Sequence, residues 1–198
     1  MTTSDKSPKP ASRGRANVEQ KLLKAACKLL AEKGPKAVSN RDIAKLAGVN
    51  HGQIHHYFGS KRGLLEAAVS KLAHEHWAHI QVDGLTPLAL RKDKTYIMAI
   101  IRCAIDGELE LATLELRENI SVPRRALQKL LDNRDPSETE TETETETDMK
   151  GRMGAAMAIE MAWAVLEPFI SATLDIESHE VDAVKQKITE ILLSIAEY

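Results

Sequence analysis

Asn50, His51, Gln53, His55 and His56 crowd into one short stretch, interrupted by Gly52 and followed by Tyr57. A carboxamide offers the donor–acceptor pair that a base edge requires, and imidazoles or a phenol can donate to phosphate or base. Lys61 and Arg62 follow in what reads as the first turn of another helix. There the macrodipole disfavours a cation by about 0.3–1 kcal/mol, a cost that vanishes when an external anion docks. Gly52 is worse than Ala inside a helix by about 1 kcal/mol, but it suits a backbone that must approach another surface closely. These polar positions fit a polyanion better than they fit the surface of a self-contained core.

The elements that must hold these residues are short helices, each with its own start and stop signals. Asn17 with Gln20 reads as a capping-box start, and Val18, Leu22, Ala25, Ala26, Leu29 and Leu30 follow at helical spacing until Gly34 and Pro35. Ser39 with Asp42 caps a second helix whose apolar face is Ile43, Leu46 and Ala47. Gly48 falls where a left-handed residue allows an abrupt reversal. Asn50 is expected to cap the next helix, with Ile54 and Phe58 inward. Ser60 caps a longer one carrying Leu64, Leu65, Val69, Leu72 and Ala73, with Trp77 and Ile80 beyond. Helices this short are not stable alone and must form a compact cluster.

Charge follows the same division. Residues 1–70 carry 13 Lys and Arg against 5 Asp and Glu, whereas residues 71–198 carry 14 against 24, within a total of -2. A basic head on an acidic body is the electrostatic footprint of polyanion binding by the head. Residues 1–16 read as a disordered basic tail, a solvated segment or an arm whose Arg13 and Arg15 reach a minor groove.

The spacing of Ile43-Ala44, Ala47-Gly48-Val49, Gly52, Tyr57-Phe58, Ser60-Lys61 and Leu64-Leu65 resembles the signature of the TetR family, the tetracycline-repressor-like regulators. The resemblance runs without gaps from Val18 to Leu65. It implies a helix-turn-helix DNA-binding domain over 17–65, with phosphate contact by Ser39, Arg41, Tyr57 and Lys61. Base or groove contact falls to Asn50, His51, Gln53 and His56, with Asn40, Gly52 and His55 in the same DNA-facing set. His55 departs from the pattern, because the family often has Tyr there. An imidazole makes that contact weaker or pH-sensitive.

Residues 66–198 are expected to form an all-α effector-binding and dimerisation domain. Residues 132–148, with alternating Glu and Thr and no large apolar side chain, read as a disordered acidic loop. Residues 149–173, with Pro168 kinking or ending the helix, and 181–197 are apolar on more than one side. In the family such a pair builds a four-helix bundle across a two-fold homodimer, which presents two reading helices to a palindromic double-stranded operator. Trp77, Tyr96, Met98, Met157, Met161 and Trp163 are candidates to line a pocket for a small apolar effector, or to fill the core. The family mechanism is release of DNA when the ligand selects the form with its heads wrongly spaced.

Other classes fit less well. There is no nucleotide-binding glycine motif, HExxH or serine elbow, so no catalytic residue and no cofactor is expected. His74, His76 and His79 are not spaced to converge as metal ligands. Cys27 and Cys103 suggest no disulfide framework, and no apolar run approaches the ~18 residues of a membrane helix, so a cytoplasmic protein is expected. A DNA-binding regulator controlled by a protein partner, or by no effector, is the alternative.

Overall fold

The computed structural model describes residues 10–84, 86–132 and 145–196, and among them every regular element is helical. The helices are α1 (Pro10–Lys33), α2 (Asn40–Ala47), α3 (Gly52–Phe58), α4 (Lys61–Asp83), α5 (Lys94–Ile105), α6 (Leu109–Ala112), α7 (Leu114–Arg117), α8 (Val122–Asp132), α9 (Glu146–Thr173) and α10 (Val181–Ala196). A 3-10 segment, Ala89–Asp93, precedes α5.

Two starts differ from the sequence reading. α1 begins at Pro10, so Asn17 lies inside it and residues 10–16 are not a tail. Proline at a first helical position loses no hydrogen bond, and its fixed φ favours the helix. The side chain of Arg13 lies outside the described residues. α9 starts within the stretch read as loop: the Thr145 hydroxyl accepts from the Asp148 amide, and the Asp148 carboxylate accepts from the Thr145 amide. The Thr-Glu alternation thus ends in a capping box, because Asp148 stands three positions after Thr145. The rest of that loop, 133–144, lies outside the described residues. Pro168 sits within α9 and does not end it.

Two compact units emerge. The first comprises the chain to Leu72 together with Ala99–Leu114. Its interior holds Leu22 and Leu30 of α1, Ile43 of α2, Ile54 of α3, Leu64 and Val69 of α4, and Cys103 and Leu111 from the later segment. Polar pins fix that segment in place. Arg102 Nε donates to the Ala31 carbonyl at 2.8 Å, and the Lys36 amide donates to Asp106 at 3.0 Å. Asp106 also packs where a side chain on Gly34 would stand, 2.8 Å from an added Cβ. Gly34 has φ 80, so it is suited both to this turn and to this contact.

The second unit comprises Ala73–Met98 and Glu115 onward. Ala156 and Leu192 are buried at the centre of an apolar cluster with Leu88, Ile159, Ile188 and Ile195. α9 also corrects the expectation about apolar length. One 18-residue window has mean hydropathy 1.4, enough by length and composition to cross a bilayer, and only 22% of it is buried. Ala and Met, with scattered Ile, Val and Leu, raise that average without forming an unbroken run of large apolar residues.

Both cysteines are buried. Burial pushes the Cys103 thiol up to about 12, with Asp106 and Glu108 adding to the shift. The folded state therefore holds this proton more tightly than the unfolded chain, and its contribution to stability is lost as pH rises from the ordinary thiol range towards 12. A thiol reagent should modify neither cysteine until urea unfolds the protein. Urea midpoints measured from pH 8 to 11 should fall, and Cys103→Ala should flatten that fall.

Candidate nucleic-acid interface

Ser39 and Gly48 set the direction of α2. The Ser39 hydroxyl accepts from the Asp42 amide at 3.1 Å and donates to the Asp42 carboxylate at 2.6 Å. The hydroxyl bond, then the Ser39 amide, holds Asp42 below the usual carboxylate range. Ser39 thus has a structural role in addition to the DNA contact that the resemblance implies. Gly48 takes the left-handed conformation, φ 66 and ψ 37, and its amide bonds to Lys45 while that of Val49 returns to Ala44. The chain reverses there and enters α3.

Asn50 stands one residue further from α3 than a conventional cap. His51 is already right-handed helical, φ -61 and ψ -25, and makes no side-chain cap. Asn50 Oδ1 instead accepts from the Gly52 amide at 2.9 Å. Its carboxamide oxygen is committed, which leaves its N–H donors for an outside acceptor. A Cβ on Gly52 would stand 3.3 Å from that same oxygen, so the glycine serves this turn directly.

α3 buries Ile54 and exposes Gly52, His55 and His56, with Gln53 and Tyr57 half-buried and His51 exposed just before the helix. The His56 and Tyr57 rings meet edge to face, with centroids 4.9 Å apart. The Arg15 guanidinium lies 5.7 Å from the Tyr57 ring centre. Arg15 therefore reaches the exposed face of α3 from within helix α1, not from a flexible arm. Arg41 is exposed on α2, and Asn40 is half-buried with its carboxamide oxygen lacking a hydrogen-bond partner. His55 Nδ1 lies 3.0 Å from the Gly59 carbonyl.

The start of α4 changes one sequence inference. Ser60 Oγ accepts from the Gly63 amide at 3.0 Å, as expected of a cap. Arg62, however, is drawn to Glu66 at 3.0 Å, Glu108 at 2.5 Å and Glu110 at 3.4 Å. Its pKa is raised, first by the Glu66 bond and then by Glu108 against the opposing effect of burial. Its cost at the helix start is met by internal carboxylates, so it is not evidence for an external anion. Lys61 keeps that role alone.

Sequence reasoning missed Gly63. A Cβ there would fall inside the contact radius of the Phe58 carbonyl oxygen, which belongs to backbone. The signal was a glycine in a first helical turn, where intrinsic propensity gives no reason for one.

The candidate effector residues have varied surroundings. Tyr96 is buried, stacked on His76 with centroids 4.9 Å apart, and its hydroxyl donates to Glu115. Burial, then the Glu115 charge, pushes the phenol well above its ordinary range. Trp163 is buried with its indole N–H unpartnered. Met98 and Met161 are half-buried, whereas Met157 is exposed. Trp77 is half-buried beneath the Arg125 guanidinium, 4.7 Å from its ring centre. Glu160 was not anticipated: it is buried, one oxygen accepts from the Leu88 amide, and the other has no partner. Burial pushes its carboxyl up.

The histidines also differ from expectation. His76 and His79 do converge, on Asp93, at 2.7 and 2.6 Å, because the segment before α5 folds back along α4. His74 pairs with Glu118 at 3.4 Å. Among the described residues no group of three His, Cys, Asp or Glu is arranged to hold a metal ion.

Gly63→Ala should cost roughly 1–3 kcal/mol, the usual cost of overpacking against atoms that cannot yield. Urea denaturation should show a lower midpoint, and an unchanged midpoint would mean that the α3–α4 turn can open without penalty.

Residues 22–68 match the model of the bacterial regulatory proteins of the tetR family. An HTH-type transcriptional repressor of Mycobacterium tuberculosis is 25% identical over 187 residues, 93% of this chain and 92% of its own length. The HTH-type regulator BetI of Yersinia pestis is 36% identical over 81 residues, 41% of this chain and 40% of its own. Among solved structures, a transcriptional regulator of Streptomyces coelicolor superposes with TM-score 0.60 at 20% identity, over 90% of this chain and 97% of its own. A TetR-family regulator from Rhodococcus gives 0.53 at 14% identity, over 91% and 99%. Residues 22–68 thus match the tetR-family helix-turn-helix domain, and the chain as a whole is similar to helix-turn-helix transcriptional regulators in sequence and shares the all-helical fold of the solved regulators.

Proposed function

We propose that the protein is a repressor whose homodimer binds a palindromic operator and releases it when a small molecule occupies the C-terminal domain. The observation that carries the DNA reading is the exposed polar face of α3, held outward by the buried Ile54, with Arg15 over the Tyr57 ring. The N-terminal side chains of the second helix of such a motif meet base edges. His51, Gln53 and the free donors of Asn50 suit that task, with Tyr57, Arg41 and Lys61 on phosphate. The repressor sense follows the Mycobacterium tuberculosis relative, which bears that description.

The DNA-binding domain is taken as 17–65 and the effector and dimerisation domain as 66–198, in a cytoplasmic protein. Dimerisation through α9 and α10 is supported by Leu166, Phe169, Ile191 and Leu193, which remain exposed on those helices. A partner copy would cover them and set two reading helices about 34 Å apart, one turn of DNA. Support for an effector comes from Tyr96 and Trp163, large buried side chains in the C-terminal unit. The unpartnered atoms of Glu160 and Trp163 indicate that such a ligand also carries polar groups.

Fluorescence anisotropy with a duplex selected from the organism's own genomic fragments tests the assignment. Lys61→Ala should weaken binding to every duplex alike and lower the salt slope by about 1, whereas Gln53→Ala should narrow the gap between selected and random duplexes. Unchanged binding in both variants would remove α3 and α4 from the interface.

A further inference from the structure

The Gly59 carbonyl is an acceptor only, so the His55 Nδ1 placed 3.0 Å from it must be the nitrogen that carries hydrogen. This fixes the tautomer. In the neutral ring, Nε2 then holds a lone pair and no hydrogen, and it can accept but not donate. A phosphate oxygen is itself an acceptor, so neutral His55 has nothing to offer it. Only the imidazolium presents an N–H from Nε2 while keeping the bond to Gly59.

The bond also sets the ring's location. Gly59 is the residue that leads out of α3, with φ 72, and Ser60 and Lys61 follow it directly. The imidazole is exposed beside the α3–α4 turn, next to the start of α4 where Lys61 stands. The charged and titratable groups carried by the helices of this unit include Arg15 and Glu19 on α1, Arg41 and Lys45 on α2, Lys61 on α4, His56 on α3 and His51 just before it. Arg15 lies 5.7 Å from the Tyr57 ring centre. Two further carboxylates are already engaged, Asp42 by Ser39 and Glu66 by Arg62.

We infer that His55 is a proton-linked phosphate contact: docking DNA requires His55 to take up one proton per protomer at Nε2, so operator affinity falls as pH rises. The inference rests on the reading of α3 as the DNA-facing helix. The balance is simple. One solvent proton is bound as the complex forms, Nδ1 keeps its own, and no other bond is made or broken. Because the contact is to backbone, the effect is independent of base sequence. It appears on random duplex as well as on a selected one.

The test is anisotropy at pH 5.5–8 and at several salt concentrations, on a selected duplex and a random one, with His55→Gln, His51→Gln and His56→Gln. Glutamine donates at every pH and carries no charge. In the native protein the limiting pH dependence includes about tenfold in affinity per pH unit per protomer from this proton. The salt slope should include about 0.9 per protomer at every pH at which the complex forms, the counterion released by this one cationic contact. His55→Gln should lose both on both duplexes, and the other two variants should keep them.

Ring-nitrogen NMR of free and DNA-bound protein gives a readout that does not depend on any variant folding. The free neutral ring should show hydrogen on Nδ1, and the bound ring should show it on both nitrogens. A pH dependence in His55→Gln equal to that of the native protein, or a neutral His55 in the complex, overturns the inference. Failure to bind any duplex at any pH overturns the reading of α3 itself, a different result from pH-independent binding.

Discussion

Ile54 is the side chain on which the site depends. α3 has seven residues, too few for its own hydrogen bonds to hold it, and among them Ile54 alone is buried. Everything polar on the helix is oriented by that one anchor and by the two turns that flank it. On one side Gly48 reverses the chain and Asn50 bonds to the Gly52 amide. On the other, the absence of a side chain at Gly63 lets the Phe58 carbonyl approach the first turn of α4. The exposed histidines and the half-buried Gln53 are therefore not loose, and this is the preorganisation that a base-reading surface would require.

The electrostatics of the head come from a division of its cations. Arg62 is committed to Glu66, Glu108 and Glu110, and Arg102 to the Ala31 carbonyl. These bonds fasten the Ala99–Leu114 segment to the rest of its unit. Arg41 and Lys45 are instead exposed on α2 and Lys61 is half-buried on α4, while Arg15 lies 5.7 Å from the Tyr57 ring centre. A count of Lys and Arg along the chain cannot make this division. Glu108 and Glu110 lie more than forty residues beyond Arg62, and only the folded chain brings them to it.

That distance explains what was legible in the sequence. Ser39 with Asp42, Gly48, Ser60 and the apolar stripe through Ile54 and Leu64 are local signals, each decided within four or five residues, and each forms as read. The capping-box reading at Asn17 failed because helix continuation upstream from Pro10 outweighed an available cap. The loop assignment overran α9 because the repetitive composition concealed a Thr-x-x-Asp start. His55, Gly63 and Glu160 required the third dimension, since their roles are defined by the Gly59 carbonyl, the Phe58 carbonyl and the Leu88 amide. The same holds for His76 and His79, whose spacing gave no hint that Asp93 would fold back between them.

α9 raises a choice between two apolar environments, since its composition suits a bilayer as well as a protein partner. Its polar groups decide the matter. Glu167 is held by Arg91 at 2.5 Å, Glu160 accepts from the Leu88 amide, and Arg152 Nε donates to the Ile195 carbonyl at 2.5 Å. A helix surrounded by lipid would have to break these bonds or drag their partners with it, at a cost of several kcal/mol for each charge left unpaired. These groups lock one side of α9 to its own unit, while Leu166 and Phe169 remain exposed on the helix. A helix with one polar-pinned side and an apolar remainder is suited to packing against another helix, and a second copy of the same chain supplies one of matching length and composition.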